Sequence, residues 1–142
     1  MVFEDSDKAE PTIGLVDAIR NAERVAICPS NPVLSVAPIL SVQAIRQAIM
    51  KTEARVVGVS PIVGGKAIRG PADRVMASLG FEASAFGVAK YYGDLLDHLL
   101  IDKIDEKDRS RIESLGVEVS VEDSVMRCIE DSVRLATAVM TE

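Results

Sequence analysis

Two loops in this chain carry residue types that can hold an anion. One contains Ser30 and Asn31 between two prolines, and the other spans residues 60–66 and includes Gly64, Gly65 and Lys66. Glycine lets backbone N–H groups come close to a ligand, and the ammonium of Lys66 offers the opposite charge to a phosphate. The residue types therefore predict a ligand that bears phosphate.

Neither loop matches a standard nucleotide motif. Residues 60–67 read S-x-x-x-x-G-K-A, which lacks the opening Gly and the Ser or Thr after Lys that a P-loop needs, and no G-x-G-x-x-G turn is present. A Gly-Gly-Lys segment also occurs in ordinary tight turns, and Pro29 and Pro32 also suit a merely rigid loop. Both interpretations, anion site and plain turn, stay open on the residues alone.

The elements that position these loops alternate between strand and helix. Apolar and β-branched runs predict strands at residues 24–28, 55–59, 98–101 and 117–119. Helices are predicted at residues 11–22, 42–51, 71–79, 84–96, 105–115 and from about 120 onward. Parallel strands joined by such helices need crossovers, so we expect one α/β domain over residues 1–142, with a mostly parallel, Rossmann-like sheet, itself part of a larger domain.

Several local signals refine these elements. Ser41 and Ser84 stand at N-cap positions, Pro71 falls at the first position of a helix, and Ser120 with Asp123 forms a capping-box pattern that opens the last helix. That helix carries one apolar stripe, formed by Val125, Ile129, Val133, Ala136 and Met140.

The predicted loops share one edge of the sheet. Residues 29–32, residues 60–66 and Asp102 each follow the carboxyl end of a predicted strand. Ligands of open parallel sheets bind outside those strand ends. We therefore expect one site there.

Other polar residues have simpler structural interpretations. The single histidine, His98, lies between leucines and is interpreted as a buried structural imidazole. Cys28 and Cys128 show no metal-ligand spacing and are expected to be reduced and buried. The adjacent Tyr91 and Tyr92 are predicted to pack rather than to stack on a ligand.

Three acidic side chains have two interpretations, as metal ligands or as residues of a solvated helix end. Asp94, Asp97 and Asp102 are close enough in sequence to share a metal, although a solvated helix end explains them as well. Asp73 lies in the first turn after Pro71, where its charge suits the helix dipole.

Composition excludes two classes of partner. The formal charge is −6, with 22 acidic against 16 basic residues and no clustered basic stretch, which argues against nucleic acid. No apolar run approaches the ~20 residues of a membrane span.

Hydrophobic residues make up 48% of the chain, a surplus that suggests an interface. The absence of a signal-peptide pattern predicts a cytoplasmic location.

The two loops and their flanks resemble the 2-phospho-L-lactate transferase (CofD-like) family of deazaflavin coenzyme biosynthesis. The resemblance extends from about Phe3 to Asp102. It rests on Cys28-Pro29-Ser30-Asn31-Pro32, Ser35, Pro38-Ile39-Leu40, Ser60-Pro61-Ile62-Val63-Gly64-Gly65-Lys66-Ala67 and Gly70-Pro71-Ala72-Asp73.

This resemblance implies a function. Such enzymes transfer a phospholactyl or phosphoenolpyruvyl group from a guanosine diphosphate-linked donor to a deazaflavin alcohol and release GMP with Mg²⁺ assistance. The implied nucleotide and phosphate contacts are Pro29, Ser30, Asn31, Ser60, Gly64, Gly65, Lys66 and Asp73. No catalytic base is evident.

The chain also departs from that family. Its members are about twice this length and have a Gly-rich turn and acidic residues near their start, which this sequence lacks. It is therefore interpreted as the C-terminal half of such a protein, inactive alone, with the Mg²⁺ ligands in the missing N-terminal half. We expect it to pair with that half or to form a homo-oligomer. The alternative function is a noncatalytic nucleotide-binding or assembly module related to nucleotide-sugar-binding regulators.

Overall fold

The computed structural model describes residues 3, 4, 6 and 8–142 of the chain. Its strands are β1 (Arg24–Ile27), β2 (Arg55–Val59), β3 (Ile62–Val63), β4 (Lys66–Ala67), β5 (His98–Asp102) and β6 (Glu118–Glu122). Its α-helices are α1 (Leu15–Arg20), α2 (Ala37–Ser41), α3 (Gln43–Lys51), α4 (Ala72–Ser78), α5 (Ala85–Tyr92), α6 (Arg109–Glu113) and α7 (Ile129–Thr141). A π-helical turn spans Pro32–Val36, and two 3₁₀ segments span Gly93–Leu95 and Lys103–Asp108.

Four strands form the main sheet in the spatial order β1-β2-β5-β6, and every neighbouring pair is parallel. Strands β3 and β4 form a separate antiparallel hairpin. The α/β class with a parallel sheet and flanking helices is thereby confirmed. The strand order never reverses along the chain, and right-handed crossovers between such strands place all their helices on one face.

The two faces of the sheet are covered unequally. One face presents Ile27, Val56, Leu99, Ile101 and Val119 to a large core that also includes side chains of α2 to α6. The other face presents a smaller apolar group, which packs against α7 and consists of Val57, Val59, Leu100, Leu135 and Val139. In the part of the chain that the structure describes, α7 is the helix that covers this second face.

Several sequence signals are confirmed. The side chain of Ser84 accepts a hydrogen bond from the N–H of Gly87 at 3.1 Å, so it is the N-cap of α5. The ring of Tyr91 contacts Phe81 and Tyr92 in edge-on geometry, with centroids 5.2 and 5.8 Å apart, so the tyrosines pack as predicted.

Several helix boundaries differ from prediction, among them the starts of α1, at Leu15 rather than residue 11, and of α6, at Arg109 rather than residue 105. Ser41 is the last residue of α2 and its hydroxyl donates to the carbonyl of Pro38, whereas Val42 is the N-cap residue of α3. The helix predicted at residues 84–96 ends at Tyr92, because the chain passes into the 3₁₀ segment at Gly93, whose φ is 55°. Glycine adopts such a left-handed conformation readily.

The prediction for the last helix is wrong in its start, and the apolar stripe that it named is not the buried one. Ser120 belongs to β6 and its hydroxyl donates to Glu142 at 2.6 Å, so it caps no helix. Helix α7 begins at Ile129, which is 78% exposed. The helix has two apolar stripes. The one that packs against the sheet contains Leu135 and Val139, which the sequence pattern did not single out.

The prediction of buried cysteines is also wrong. Cys28 follows the end of β1 and Cys128 precedes α7, and both thiols are free and exposed. Both residues stand directly outside a regular element, where the chain is at the surface.

Among the described residues, no single helix is long and apolar enough to cross a membrane. One pair, Pro32–Ser41 with Gln43–Lys51, meets the length and composition criteria only when joined across a 92° bend. Both members contribute buried side chains to the core, including Val33, Leu40, Ile45 and Ile49.

Candidate functional site

A cleft of about 600 Å³ lies outside the carboxyl ends of β1 and β2. Three segments form its walls: residues 29–35 after β1, residues 68–71 after the hairpin, and residues 124–132 between β6 and the first turn of α7. This is the position in which open parallel sheets bind their ligands.

The first wall carries three of the predicted site residues, Pro29, Ser30 and Asn31. The side-chain oxygen of Asn31 accepts hydrogen bonds from the N–H groups of Val33 and Leu34, at 2.9 and 3.0 Å, and so caps the π-helical turn. Its amide nitrogen is buried and has no hydrogen-bond partner among the described residues. The acceptor of Asn31 is therefore already occupied, while its donor is unsatisfied.

The second wall supplies the charge of the cleft. Arg69 is the one charged side chain among the described residues that line it, and Arg69 is exposed. Ile68 stands beside it and is 46% exposed. A guanidinium has several N–H donors in a fixed plane and binds phosphate oxygens in pairs.

The third wall was missed by the sequence reasoning. It contributes Ser124, Met126 and Ser132. The buried Asp102 holds this wall, because its carboxylate accepts hydrogen bonds from the backbone N–H and the hydroxyl of Ser124, at 2.9 and 3.2 Å. Asp102 is the last residue of the buried strand β5, which places it at the predicted edge, but nothing in its spacing indicated a partner 22 residues away.

The structure does not bring the other predicted site residues into the cleft. Gly64 and Gly65 form the two-residue turn of the β3–β4 hairpin, with φ of 58° and 80°. Two positive φ values are typical of a type I′ hairpin turn. Lys66 opens β4 and is exposed, and it is absent from the described residues that line the cleft.

Ser60 and Asp73 also have local roles. Ser60 is only 1% exposed, and its hydroxyl donates to the carbonyl of Ile62 and accepts from the N–H of the same residue. Asp73 lies in the first turn of α4 and does not line the cleft. Ser60 therefore shapes the entry to the hairpin from inside the protein.

A carboxylate already occupies the backbone amide of the glycine turn. The N–H of Gly64 donates to the carboxylate of Asp105, which is 2% exposed. Burial raises the pKa of Asp105, and the nearby Asp108 and Asp102 raise it further, while the hydrogen bond from Gly64 opposes them. An anion bound at this amide would displace a carboxylate that already occupies it.

The acidic residues weighed as metal ligands do not converge. Among the described residues, no group of three or more His, Cys, Asp or Glu side chains is arranged to hold a metal ion. Asp97 accepts a hydrogen bond from the N–H of Val56 at 2.8 Å, and Asp102 accepts one from the N–H of Ser124. Asp94 lies exposed in the 3₁₀ segment after α5.

His98 lies at the opposite end of the sheet from the cleft, at the first position of β5. It is 3% exposed, and Arg55 donates to its Nδ1 at 3.0 Å. Because Arg55 can only donate, the imidazole proton is on Nε2, which faces a carboxylate oxygen of Glu142 at 3.6 Å. These contacts support the structural interpretation of this histidine.

Comparisons with known proteins agree with this architecture. Residues 1–137 match the model of the family described as 2-phospho-L-lactate transferase CofD. The chain is 38% identical over 136 residues to the 2-phospho-L-lactate transferase of Methanocaldococcus jannaschii, covering 96% of this chain and 42% of that protein. It is 41% identical over 132 residues to a phosphoenolpyruvate transferase of Kitasatospora aureofaciens, covering 92% of this chain and 41% of that protein.

A solved structure shares the fold. The crystal structure of a UPF0052 family member from Bacillus halodurans aligns with a TM-score of 0.68 at 18% identity, covering 96% of this chain and 48% of the other. The chain thus spans less than half the length of the relatives that it matches. With a family match over nearly all of its residues, the chain belongs to the 2-phospho-L-lactate transferase CofD family.

Proposed function

We propose that this chain forms the nucleotide side of a transferase site that moves a phospholactyl or phosphoenolpyruvyl group from a guanosine diphosphate-linked donor to a deazaflavin alcohol. The observation that supports this most directly is the position of Arg69, opposite the Ser30 and Asn31 loop in a cleft at the carboxyl edge of the sheet. The names of the relatives support the reaction class.

The lining of the cleft suits a nucleotide in two respects. Leu34, Ile68 and Met126 are 48%, 46% and 44% exposed and all three line the cleft, so they offer apolar contact to a flat base. Hydroxyl groups of Ser30, Ser35 and Ser132 line it as well and suit ribose or phosphate oxygens. We assign the diphosphate to Arg69 and to the free amide donor of Asn31.

In the proposed reaction the alcohol oxygen of the acceptor forms a bond to the distal phosphorus of the donor, and the bond from that phosphorus to the oxygen of GMP breaks. The alcohol loses its proton. Arg69 would stabilise the negative charge that builds on the phosphate oxygens in the transition state. No described residue that lines the cleft is a carboxylate or a histidine, so the base is assigned to the part of the relatives that this chain does not span.

Mg²⁺ would further neutralise the diphosphate in this family's reaction. The described residues do not fit such an ion, since they offer no group of three ligands and both carboxylate oxygens of Asp102, which holds one wall of the cleft, are engaged by backbone N–H groups. We therefore assign the Mg²⁺ ligands to the part of the relatives that this chain does not span.

A second candidate is a nucleotide-binding or assembly module without catalysis. The feature that favours it is the lining of the cleft, which pairs one cation with hydroxyl groups and has no titratable acid or base among the described residues. It predicts the same nucleotide affinity as the transferase. The two functions differ only in turnover when the rest of the fold is supplied.

The test is calorimetric titration of GDP into the chain and three variants. Arg69→Ala removes a charge-assisted contact worth about 1.5–3 kcal/mol and should weaken GDP binding about 10- to 100-fold. Lys66→Ala should weaken it less than Arg69→Ala, and Arg74→Ala, an exposed arginine on α4 outside the cleft, is the matched control.

Guanosine, which lacks phosphate, should bind the wild-type chain and Arg69→Ala equally. A larger loss from Lys66→Ala than from Arg69→Ala would move the phosphate site to the hairpin. Unchanged affinity in both variants would refute a phosphate site at this edge.

A further inference from the structure

The cleft lies beside β1, an edge strand of the sheet, so it has a wall on only one side of that strand. In doubly wound α/β sheets the ligand crevice forms where the strand order reverses, between two strands whose crossovers lie on opposite faces. The order β1-β2-β5-β6 contains no reversal, and the loop after β1 forms one wall of the cleft. A reversal beside β1 requires another parallel strand on its free edge.

An apolar groove of about 310 Å³ runs along that edge. Its floor is β1 together with Cys28, and its sides include Val36, Ile39 and Ile49. Ile39 is 55% exposed. The opposite edge strand, β6, carries Glu118 and Glu122, and charged side chains of this kind discourage pairing with another strand. Of the two edges, β1 is the less charged, with Arg24 as its single charged residue, and it borders the apolar groove.

The second face of the sheet is also uncovered next to β1. Ala26 is the register partner of Val57. Val57 is completely buried under α7, whereas Ala26 is exposed. The cover that α7 provides therefore stops between β2 and β1.

Helix α7 itself presents an unpartnered apolar stripe. Ile129, Val133 and Met140 are 78%, 60% and 59% exposed, and with Ala136 they follow the 4-3-4 spacing of one helix face. The helix packs on the sheet through Leu135 and Val139. A helix that is apolar on two faces normally has a neighbour on each.

We propose that the β1 edge and the exposed stripe of α7 together form a docking surface for the part of the transferase fold that this chain does not span. The relatives supply the argument for this occupant, since the chain covers 42% of the Methanocaldococcus jannaschii transferase and 48% of the Bacillus halodurans structure. The docked polypeptide adds a strand parallel to β1, covers Ala26 and α7, and forms the fourth wall of the cleft. This inference does not depend on which ligand the cleft binds.

The experiment mixes the chain with the portion of the Methanocaldococcus jannaschii transferase outside the matched stretch, and measures the mass of the species by size exclusion with light scattering. The same portion mixed with its own matched stretch is the positive control. We expect a one-to-one complex in both mixtures. Hydrogen exchange should slow at residues 24–27 and 129–140 of this chain and stay unchanged in α6, which packs on β6 at the opposite edge of the sheet.

Two variants assign the surface. Val133→Glu should weaken the complex at least tenfold. Leu115→Glu, at a 44% exposed position between α6 and β6, next to the edge of the sheet opposite β1, should leave it intact. Both positions are exposed, and thermal unfolding of each variant alone verifies that it folds.

Three results would overturn the proposal. The first is a chain that stays separate while the control pair combines. The second is a complex that leaves residues 24–27 and 129–140 unprotected. The third is a homodimer of the chain that Val133→Glu dissolves, because the occupant would then be a second copy.

Discussion

The backbone N–H of Gly64 donates to both carboxylate oxygens of Asp105, at 2.9 and 3.1 Å. This contact joins the tip of the β3–β4 hairpin to the 3₁₀ segment that follows β5. The hairpin would otherwise be a two-stranded ribbon, which is marginally stable in water. Asp105 thus fixes the hairpin that leads the chain to Ile68 and Arg69 in the cleft.

Asp105→Ala should loosen the hairpin without unfolding the sheet. The Gly64 amide then loses its acceptor, and its hydrogen exchange should accelerate at least tenfold. Asp105→Asn keeps a side-chain oxygen at the same place and should restore most of the protection. Equal exchange in all three proteins would show that the contact does not hold the turn.

Stability should fall as the pH is lowered past the ordinary pKa of histidine, 6.5. Burial lowers the pKa of His98 in the folded chain, and the nearby Arg55 lowers it further, although Glu142 and Glu118 oppose them. Below pH 6.5 the unfolded chain therefore binds a proton that the folded chain resists, which favours unfolding.

The measurement is urea denaturation between pH 5 and 8 for the wild type and for His98→Gln. The variant should lose the pH dependence near 6.5 while keeping a polar group beside Arg55. A slope that is identical in the two proteins would exclude His98 as its source.

Gly87→Ala should be strongly destabilising even though alanine favours helices. A Cβ at this position would lie 1.9 Å from the backbone oxygen of Glu82, and Gly87 is buried in α5. The clash is with backbone, so relieving it shifts the turn that Ser84 caps, and we expect a loss of about 1–3 kcal/mol or more. Ala77→Gly in the exposed face of α4 gives the ordinary difference of about 1 kcal/mol for comparison. Thermal unfolding that shows a stabilised Gly87→Ala would contradict this contact.

The chain alone should not catalyse phospholactyl transfer. Holding two reactants in the correct geometry contributes roughly 7–11 kcal/mol to such a barrier, and a cleft with one open side holds only one of them. Donor, deazaflavin alcohol and Mg²⁺ are incubated with the chain, and GMP is followed by chromatography. Turnover by the chain alone would refute the proposal that it forms only the nucleotide side of the site. Turnover only after the rest of the fold is added would favour the transferase over the noncatalytic module.

Local patterns in the sequence predicted the four strands of the main sheet and the α/β class, but not the short hairpin of β3 and β4. Strand β2 matches its predicted bounds, because a run of Arg, Val, Val, Gly and Val between polar segments has few alternatives. Helix α7 shows where this reasoning ends. Both of its stripes are apolar, and only the tertiary position of Val57 and Leu100 selects Leu135 and Val139 for burial.

The site was predicted in part for a similar reason. The loop at Pro29 to Asn31 was found because it follows a strand directly, and strand ends can be located from the sequence. Ser124 and Met126 come from a segment with no pattern of its own, and the hydrogen bonds of Asp102 bring that segment to the cleft. Contacts between residues so far apart cannot be read from spacing.

The exposure of the two thiols has a practical effect on any measurement of association. Cys28 lies in the groove along β1, and Cys128 directly precedes α7. Both thiols are therefore accessible to air oxidation and to the thiols of other copies of the chain in solution. Without reductant, two chains can become linked through a covalent sulfur bridge that has nothing to do with their fold. The same two thiols are natural attachment points for a fluorescent label, and labelling that a partner blocks at Cys28 would report occupation of the groove directly.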